Sequence, residues 1–239
     1  MVLWRHLPES PAVSSTLSFL VSNQDRHSPF HDLKDGQRLL LDGPYGQDLG
    51  LRHYETVIMA AKGIGIAGIL TSALDLIEHQ QHDSTVKKQR SRIYKNLFRD
   101  STRKVAIFWS LEHNSQEEWV ASELWALKSL DTKNNFFVVW CIYPSISDKP
   151  KLFDSKFWKC FCLEDKEKAR SEQFYLDSLI SQDIEAPGRS IVVACGDPDF
   201  TAQVRGTVLS RTRSDRPVNF VELEFRPRKN TSGVMEAVS

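Results

Sequence analysis

The stretch from Thr56 to Thr71, TVIMAAKGIGIAGILT, constrains the fold more than any other part of this chain. It opens with an apolar run long enough for a buried β-strand, turns on glycines, and continues with a pattern typical of a helix start. Glycines at such a turn let the backbone approach a bound group, because no Cβ stands in the way. The helix start adds unpaired N–H groups and the positive end of the helix dipole. The stretch therefore predicts a binding site for a phosphate or a diphosphate.

The glycines Gly63, Gly65 and Gly68 have the G-x-G-x-x-G spacing of the dinucleotide-binding fingerprint. The same glycines also suit a helix that packs tightly on a sheet and binds nothing, so both interpretations stay open on this motif alone. The fingerprint ordinarily includes an acidic residue about 20 residues later, which binds the ribose. Here Glu112, at the end of the next predicted strand, lies much farther along the chain. The motif therefore specifies the adenosine end of a dinucleotide poorly.

From Tyr54 onward, strand-like and helix-like segments alternate. This alternation predicts an α/β fold with a parallel sheet and right-handed crossovers. Helices are expected at about 66–81, 115–130 and 199–211, with a further possible helix at 166–182. The five predicted strands are Thr56–Ala61, Lys104–Ser110, Asn135–Ile142, Ser190–Cys195 and Val218–Glu224.

The unusual turns all follow predicted strands, at their carboxyl ends. Gly63 to Gly65 follow the first strand, residues 110–113 follow the second, and residues 195–198 follow the fourth. Ligands of open parallel sheets bind beyond the carboxyl ends of the strands. This shared location favours a nucleotide-binding domain over a glycine turn that serves packing alone.

The first 50 residues have a different pattern. Residues 1–15 are expected to be irregular, and strands are predicted at Thr16–Val21 and Arg38–Leu41, followed by a turn at Asp42-Gly43-Pro44. We interpret this region as the end of a small antiparallel β domain. The charged connector 80–103 is predicted to be a solvated helix or a loop, and the tail 228–239 is predicted to be disordered.

The composition argues against several functional classes. Lysine plus arginine and aspartate plus glutamate are equal at 31 each, so nucleic acid is not expected as the main partner. The four cysteines, Cys141, Cys160, Cys162 and Cys195, lack zinc-binding spacing and are expected to be free thiols, with no metal bound. No segment approaches the roughly 20 apolar residues of a membrane span. By itself this chain is expected to be soluble.

Several motifs occur in the order and spacing of a known family. They are Gly43-Pro44-Tyr45-Gly46, the glycine motif, residues 107–113, Ala194-Cys195-Gly196 and residues 221–225. In this respect the chain resembles the ferric reductase / NADPH oxidase family, and most of all the fungal ferric-chelate reductases, from about Leu17 to Pro227. The resemblance implies a ferredoxin-reductase-like NAD(P)-binding α/β domain at 51–227. It also implies that residues 1–50 are a remnant of an FAD-binding antiparallel β barrel.

The resemblance also implies a reaction and its partners. In the family, NADPH passes hydride to FAD, and electrons then pass singly through haem to a ferric chelate. The haem belongs to a membrane domain that this chain lacks, and the nucleotide-binding domain lies at the cytoplasmic face of the membrane. The protein's contribution is to align the nicotinamide with the flavin, because the cofactors carry the chemistry.

Residue roles follow from the same resemblance. The pyrophosphate is implied to lie on the glycine motif, the adenosine end near the residues after the second strand, and the nicotinamide near the residues after the fourth. The nearly terminal Phe225 is implied to cover the flavin ring, and residues 43–46 to lie at the seam between the domains. The implied cofactor-binding residues are Gly43, Pro44, Tyr45, Gly46, Gly63, Ile64, Gly65, Gly68, Ser110, Glu112, His113, Cys195 and Gly196, and the implied residues at the reacting rings are Cys195 and Phe225.

Three departures from the family pattern favour an alternative. The family's His-Pro-Phe flavin motif does not occur in this chain. Lys62 replaces a glycine that is usual before Gly63, and Asp197 places an acid where an anionic cofactor would be repelled. The alternative is a truncated, catalytically inactive nucleotide-binding module. NADPH and NADH both stay open, because no arginine near Ser110 matches a 2′-phosphate.

Overall fold

The computed structural model describes residues 2–5, 17–20, 34–38, 48–88, 97–144, 158–162, 168–212 and 217–223. A small antiparallel sheet pairs β1 (Val2–Arg5) with β2 (Leu17–Leu20). The other sheet has six parallel strands. They are β3 (Thr56–Lys62), β4 (Lys104–Ser110), β5 (Phe137–Tyr143), β6 (Trp158–Cys162), β7 (Ser190–Cys195) and β8 (Val218–Glu222).

The strand order of the parallel sheet is β6-β5-β4-β3-β7-β8. The chain builds outward from β3 to β6, then returns to the other side of β3 and continues through β7 to β8. Strand order therefore reverses between β3 and β7, which pair with Ala61 opposite Cys195. Such a reversal opens a crevice at the carboxyl ends of the strands, where ligands of doubly wound sheets bind.

Helices cover both faces of the sheet, which explains the continuous apolar sequence of its central strands. In β3, Val57 and Met59 pack into a core shared with α1 (Ile66–Lys88) and α2 (Ala121–Leu130). Ile58 on the same strand packs into a second core on the opposite face. That core is shared with α3 (Lys168–Ile184) and α4 (Pro198–Arg211).

The parallel α/β architecture is confirmed, with corrections. The sheet has six strands rather than five, because β6 was not predicted. Its sequence, WKCFC, mixes polar and apolar residues because this edge strand buries only Trp158 fully. The predicted helix at 115–130 divides into a 3-10 helix (Asn114–Trp119) and α2. Residues 2–5, expected to be irregular, form β1.

The charged connector is partly helical and partly held against the domain. The helix α1 continues to Lys88, beyond its predicted end, and residues 97–103 lead into β4. The division at residue 50 and the β-barrel remnant stay predictions, since most of residues 1–47 lie outside the described residues. The predicted tail 228–239 lies outside them as well.

Asp83, near the end of α1, fixes the backbone of this connector. Its carboxylate accepts hydrogen bonds from the backbone N–H groups of Phe98, at 3.0 Å, and Arg99, at 2.9 Å. Arg99 has a φ of 58°, a left-handed conformation that is costly for a residue other than glycine. Burial raises the pKa of Asp83, but the hydrogen bonds from Arg99 and Phe98 outweigh it, so the net pKa is lowered.

We expect Asp83→Asn to lower the free energy of unfolding by about 1 to 3 kcal/mol at pH 7, because one backbone donor loses its acceptor. A lowered carboxyl pKa stabilises the fold above the ordinary value of about 3.9, and this contribution is lost as pH falls through the lowered value. Urea unfolding should therefore show a smaller difference between wild type and variant at pH 2.5. Asp75→Asn, an exposed substitution on the same helix, should change little at either pH.

Candidate functional site

Three of the predicted turns meet at the carboxyl edge of the sheet, where the parallel strands end. Lys62, the last residue of β3, lies opposite Ser110, the last residue of β4. On the other side, Ala61 lies opposite Cys195 at the end of β7. The glycine turn, residues 63–65, is a single 3-10 turn that leads directly into α1. It therefore lies at the reversal of strand order.

Gly63 has a left-handed backbone that favours glycine, with a φ of 52°. Its carbonyl oxygen accepts a buried hydrogen bond of 3.0 Å from the indole Nε1 of Trp109. A Cβ at Gly63 would overlap the side-chain carboxylate of Glu112 and would lie 2.8 Å from its Cδ atom. The open face of the turn is therefore in direct contact with an acidic side chain.

Glu112 is held in this position by Gln116. The backbone N–H of Glu112 donates to Oε1 of Gln116 at 2.9 Å, and Nε2 of Gln116 donates to Oε2 of Glu112 at 3.2 Å. Gln116 itself is buried, and its own backbone N–H donates to the carbonyl of His113 at 3.0 Å. The 3-10 helix after β4 thus holds the carboxylate against the glycine turn.

The other two glycines of the motif contact β7. A Cβ at Gly65 would overlap the carbonyl oxygen of Cys195 and lie 2.7 Å from its carbonyl carbon. A Cβ at Gly68 would lie 2.8 Å from the Sγ atom of Cys195. Close packing of α1 on the end of β7 therefore requires both glycines, with or without a ligand.

Cys195 is completely buried. Burial raises the pKa of its thiol to about 12, so the side chain is a neutral thiol at physiological pH and a poor nucleophile. Since its Sγ atom faces α1, a ligand at the carboxyl edge would meet the partly exposed Gly196 and Asp197 rather than the thiol. A role for Cys195 beside a nicotinamide would depend on its backbone.

An ion pair spans the crevice between β3 and β7. The Nζ atom of Lys62 lies 3.4 Å from Oδ2 of Asp197, and both side chains are partly exposed. Asp197 also begins α4, because its Oδ1 accepts a hydrogen bond of 2.9 Å from the N–H of Phe200. Exposed ion pairs contribute at most about 1 kcal/mol, so this one can open at little cost.

The remaining predicted residues fall into two groups. Ser110 is buried, Ile64 is partly buried, and His113 is exposed just before the 3-10 helix, all at the carboxyl edge. The predicted flavin-contacting residues lie outside the described residues, and their roles stay predictions. They are Gly43, Pro44, Tyr45, Gly46 and Phe225.

Two further features of the molecule were not predicted from the sequence. One is Gln116, which lies four residues beyond Glu112 and which the sequence places only in the first turn of the predicted helix at 115–130. The other is a cavity of about 510 Å³ on the flank of α1, away from the glycine turn. Its wall includes Phe98 stacked on the imidazole of His79, whose Nδ1 lies 2.9 Å from Oδ2 of Asp100.

The described part of the chain offers neither a metal centre nor a membrane-spanning helix. Among those residues, no group of three or more histidine, cysteine, aspartate or glutamate side chains is placed to hold a metal ion. Within the same ranges, no helix combines the length and the apolar character needed to cross a bilayer.

The fold and its carboxyl edge define a doubly wound α/β domain compatible with the Rossmann-like class. No family model matches the chain. It is similar to the "Probable ferric reductase transmembrane component" of Candida albicans, with 23% identity over 188 residues, or 77% of this chain and 23% of the relative. Identity to the "Ferric/cupric reductase transmembrane component 1" of Candida albicans is also 23% over 188 residues, 77% of this chain and 20% of that relative. The chain thus spans about a fifth of the length of these curated relatives.

Proposed function

We propose that this chain is the NADPH-binding portion of a ferric-reductase-like flavoprotein. In such a protein NADPH would supply hydride to FAD, and haem in a separate membrane domain would carry the electrons on to a ferric chelate. The observation that carries the proposal is the glycine turn and the start of α1 at the reversal of strand order. The distant similarity to fungal ferric reductases supports the choice of this reaction over other uses of a doubly wound fold.

The described residues suit a dinucleotide in part. The turn joins β3 to α1, whose first turn carries no acidic residue of its own, so the helix dipole favours an anion there. Lys62 provides a cation at the crevice. Against this, the carboxylate of Glu112 lies on Gly63 and has to move before a diphosphate can occupy the same face.

In this proposal, each part of the edge has a binding role. The glycine turn and the N–H groups of α1 hold the diphosphate, residues 110–113 lie near the adenosine, and Gly196 lies near the nicotinamide. When bound, the nicotinamide and flavin supply the hydride and electron chemistry, while the chain positions and shields the rings. Residues 43–46 and Phe225 are proposed for the flavin side.

Thermal unfolding with added nucleotide tests this proposal. A ligand present at about 100 times its dissociation constant adds about 2.7 kcal/mol to the free energy of unfolding. For a chain of this size, that corresponds to a rise in Tm of about 5 to 10 °C. We expect such a rise with millimolar NADPH, and a comparison with NADH measures the preference for the 2′-phosphate. Equal Tm values with and without either nucleotide would contradict the proposal.

A second candidate function is a truncated, catalytically inactive nucleotide-binding module. It is favoured by the acid on the glycine turn and by the packing of Gly65 and Gly68, which needs no ligand. Flavin retention and turnover separate the two. The enzyme predicts a yellow protein that reduces a ferric chelate with NADPH and added FAD. A colourless protein that binds NADPH without turnover would support the module instead.

A further inference from the structure

We propose that Glu112 is a built-in gate of the glycine turn: its carboxylate occupies the diphosphate position, and a nucleotide binds only when this side chain swings out. The inference rests on the proposed function, because it assigns a regulator to the same turn. The proposal is based on the contact between Glu112 and Gly63: a Cβ on Gly63 would lie 2.8 Å from Cδ of Glu112 and would overlap the carboxylate.

The carboxylate lies where a bound anion is favoured. The 3-10 turn and α1 have no acidic residue in their first turns, so no acid within these elements offsets the positive end of the helix. Glu112, which follows β4, brings a negative charge to this place from the neighbouring strand. The chain thus supplies its own anion at the position that the motif offers to a phosphate.

The side chain of Glu112 is held on the turn by hydrogen bonds, yet it can move away into solvent. Two hydrogen bonds to the buried Gln116 hold Glu112 on the turn. Glu112 itself is an exposed residue, so its side chain can rotate into solvent without disturbing the core. Once Gln116 releases the carboxylate, Gly63 again presents bare backbone, because no Cβ covers it.

Among the neighbouring charges, Asp197 also opposes an anionic ligand, because it is paired with the cation that the ligand would use. Lys62 lies at the end of β3, but its ammonium group is paired with Asp197 across the crevice. His113 is exposed next to Glu112. A diphosphate therefore has to displace one carboxylate from Gly63 and compete with a second for Lys62. Removing the negative charge of Glu112 relieves the larger of these two obstacles, because a neutral side chain on Gly63 no longer repels the diphosphate or competes with it for the positive end of the helix, and is therefore displaced more easily.

Calorimetric titration of the full chain with NADPH and with inorganic pyrophosphate tests the gate. Glu112→Gln keeps the size of the side chain and a hydrogen-bonding group for Gln116, but removes the charge. We expect it to tighten binding of both ligands at least tenfold, and Gln116→Leu, which removes the two hydrogen bonds, to tighten binding severalfold. Glu123→Gln, a partly exposed acid on α2, is the matched control and should change neither constant by more than about twofold.

The outcomes separate the gate from the proposed function. Unchanged or weaker binding of NADPH by Glu112→Gln, with wild type binding NADPH, overturns the gate and leaves the function standing. Pyrophosphate binding that tightens in the variant, without any binding of NADPH, supports the gate and overturns the dinucleotide function. If wild type and Glu112→Gln bind neither ligand, both proposals are wrong. Far-UV circular dichroism of each variant checks that the fold is retained.

Discussion

Replacing Gly65 with alanine is expected to lower the free energy of unfolding by about 3 kcal/mol or more, a loss typical of severe overpacking. The new Cβ would overlap the carbonyl oxygen of Cys195 and lie 2.7 Å from its carbonyl carbon. The obstacle is backbone, so no side chain can rotate away. Ala61 of β3 pairs with Cys195 of β7 just before the turn. The glycine turn and the end of β7 can therefore move apart only if the pairing at the centre of the sheet is disturbed.

Two other glycines provide matched controls for Gly65→Ala. Gly206, inside α4, has open space within 4 Å of the place where a Cβ would stand, so Gly206→Ala should stabilise the protein by about 0.5 to 1 kcal/mol through helix propensity. At Gly68 a Cβ would meet only the side chain of Cys195, so the loss in Gly68→Ala should be partly relieved in a double variant with Cys195→Ala. Urea unfolding measures all four variants. A Gly65→Ala protein as stable as wild type would contradict the packing explanation of this glycine.

The strand-turn-helix at residues 56–71 could be predicted because its signals are local: an apolar run, glycines and helical spacing. What the glycines contact could not be predicted, because Cys195 and Glu112 reach them from distant positions in the chain. The spacing of Gly63, Gly65 and Gly68 is therefore compatible with packing and with ligand binding alike. The structure supplies packing partners for Gly65 and Gly68 and an acidic neighbour for Gly63.

Two elements of the fold, β6 and the break between the 3-10 helix and α2, could not be predicted for a similar reason. Among the described residues, β6 lies at the edge of the sheet and pairs with β5 alone, so it needs no continuous apolar sequence. The break between the 3-10 helix and α2 falls at Val120, whose ψ of 11° interrupts the helix although the residue is apolar and buried. Periodicity detects which residues are buried, but it does not detect a local change of backbone conformation.

The location of the candidate site at the carboxyl edge of the sheet could be predicted from the sequence, but the side-chain contacts within it could not. Sequence placed residues 63–65, 110–113 and 195–198 at strand ends, and the parallel pairing brings these ends together. The hydrogen bonds between Glu112 and Gln116 depend on the 3-10 geometry between them. A four-residue spacing of glutamate and glutamine is common in helices, so it carries little information before that geometry is known.

The second large effect is expected at Asp131, which joins α2 to β5. This carboxylate is buried, and its Oδ2 accepts hydrogen bonds from the backbone N–H groups of Phe136, at 2.9 Å, and Phe137, at 2.8 Å. Between Asp131 and Phe136 the chain passes through Asn134, whose φ of 48° is left-handed. One side chain therefore fixes a strained turn and the start of β5, which lies between β6 and β4 in the sheet.

Asp131→Ala is expected to lower the free energy of unfolding by about 3 kcal/mol, because two buried donors lose their acceptor and each unsatisfied group costs about 1 to 3 kcal/mol. Asp131→Asn should lose less, since its amide oxygen can still accept. Lys133→Ala, an exposed substitution in the same turn, should stay within about 0.5 kcal/mol of wild type. If Asp131→Ala and Lys133→Ala unfold at the same urea concentration, the turn is held by packing of Phe136 and Phe137 rather than by the carboxylate. Native-state hydrogen exchange of Asp131→Ala is an independent test, because loss of the carboxylate should expose the N–H groups of Phe136 and Phe137 to exchange before those of β4.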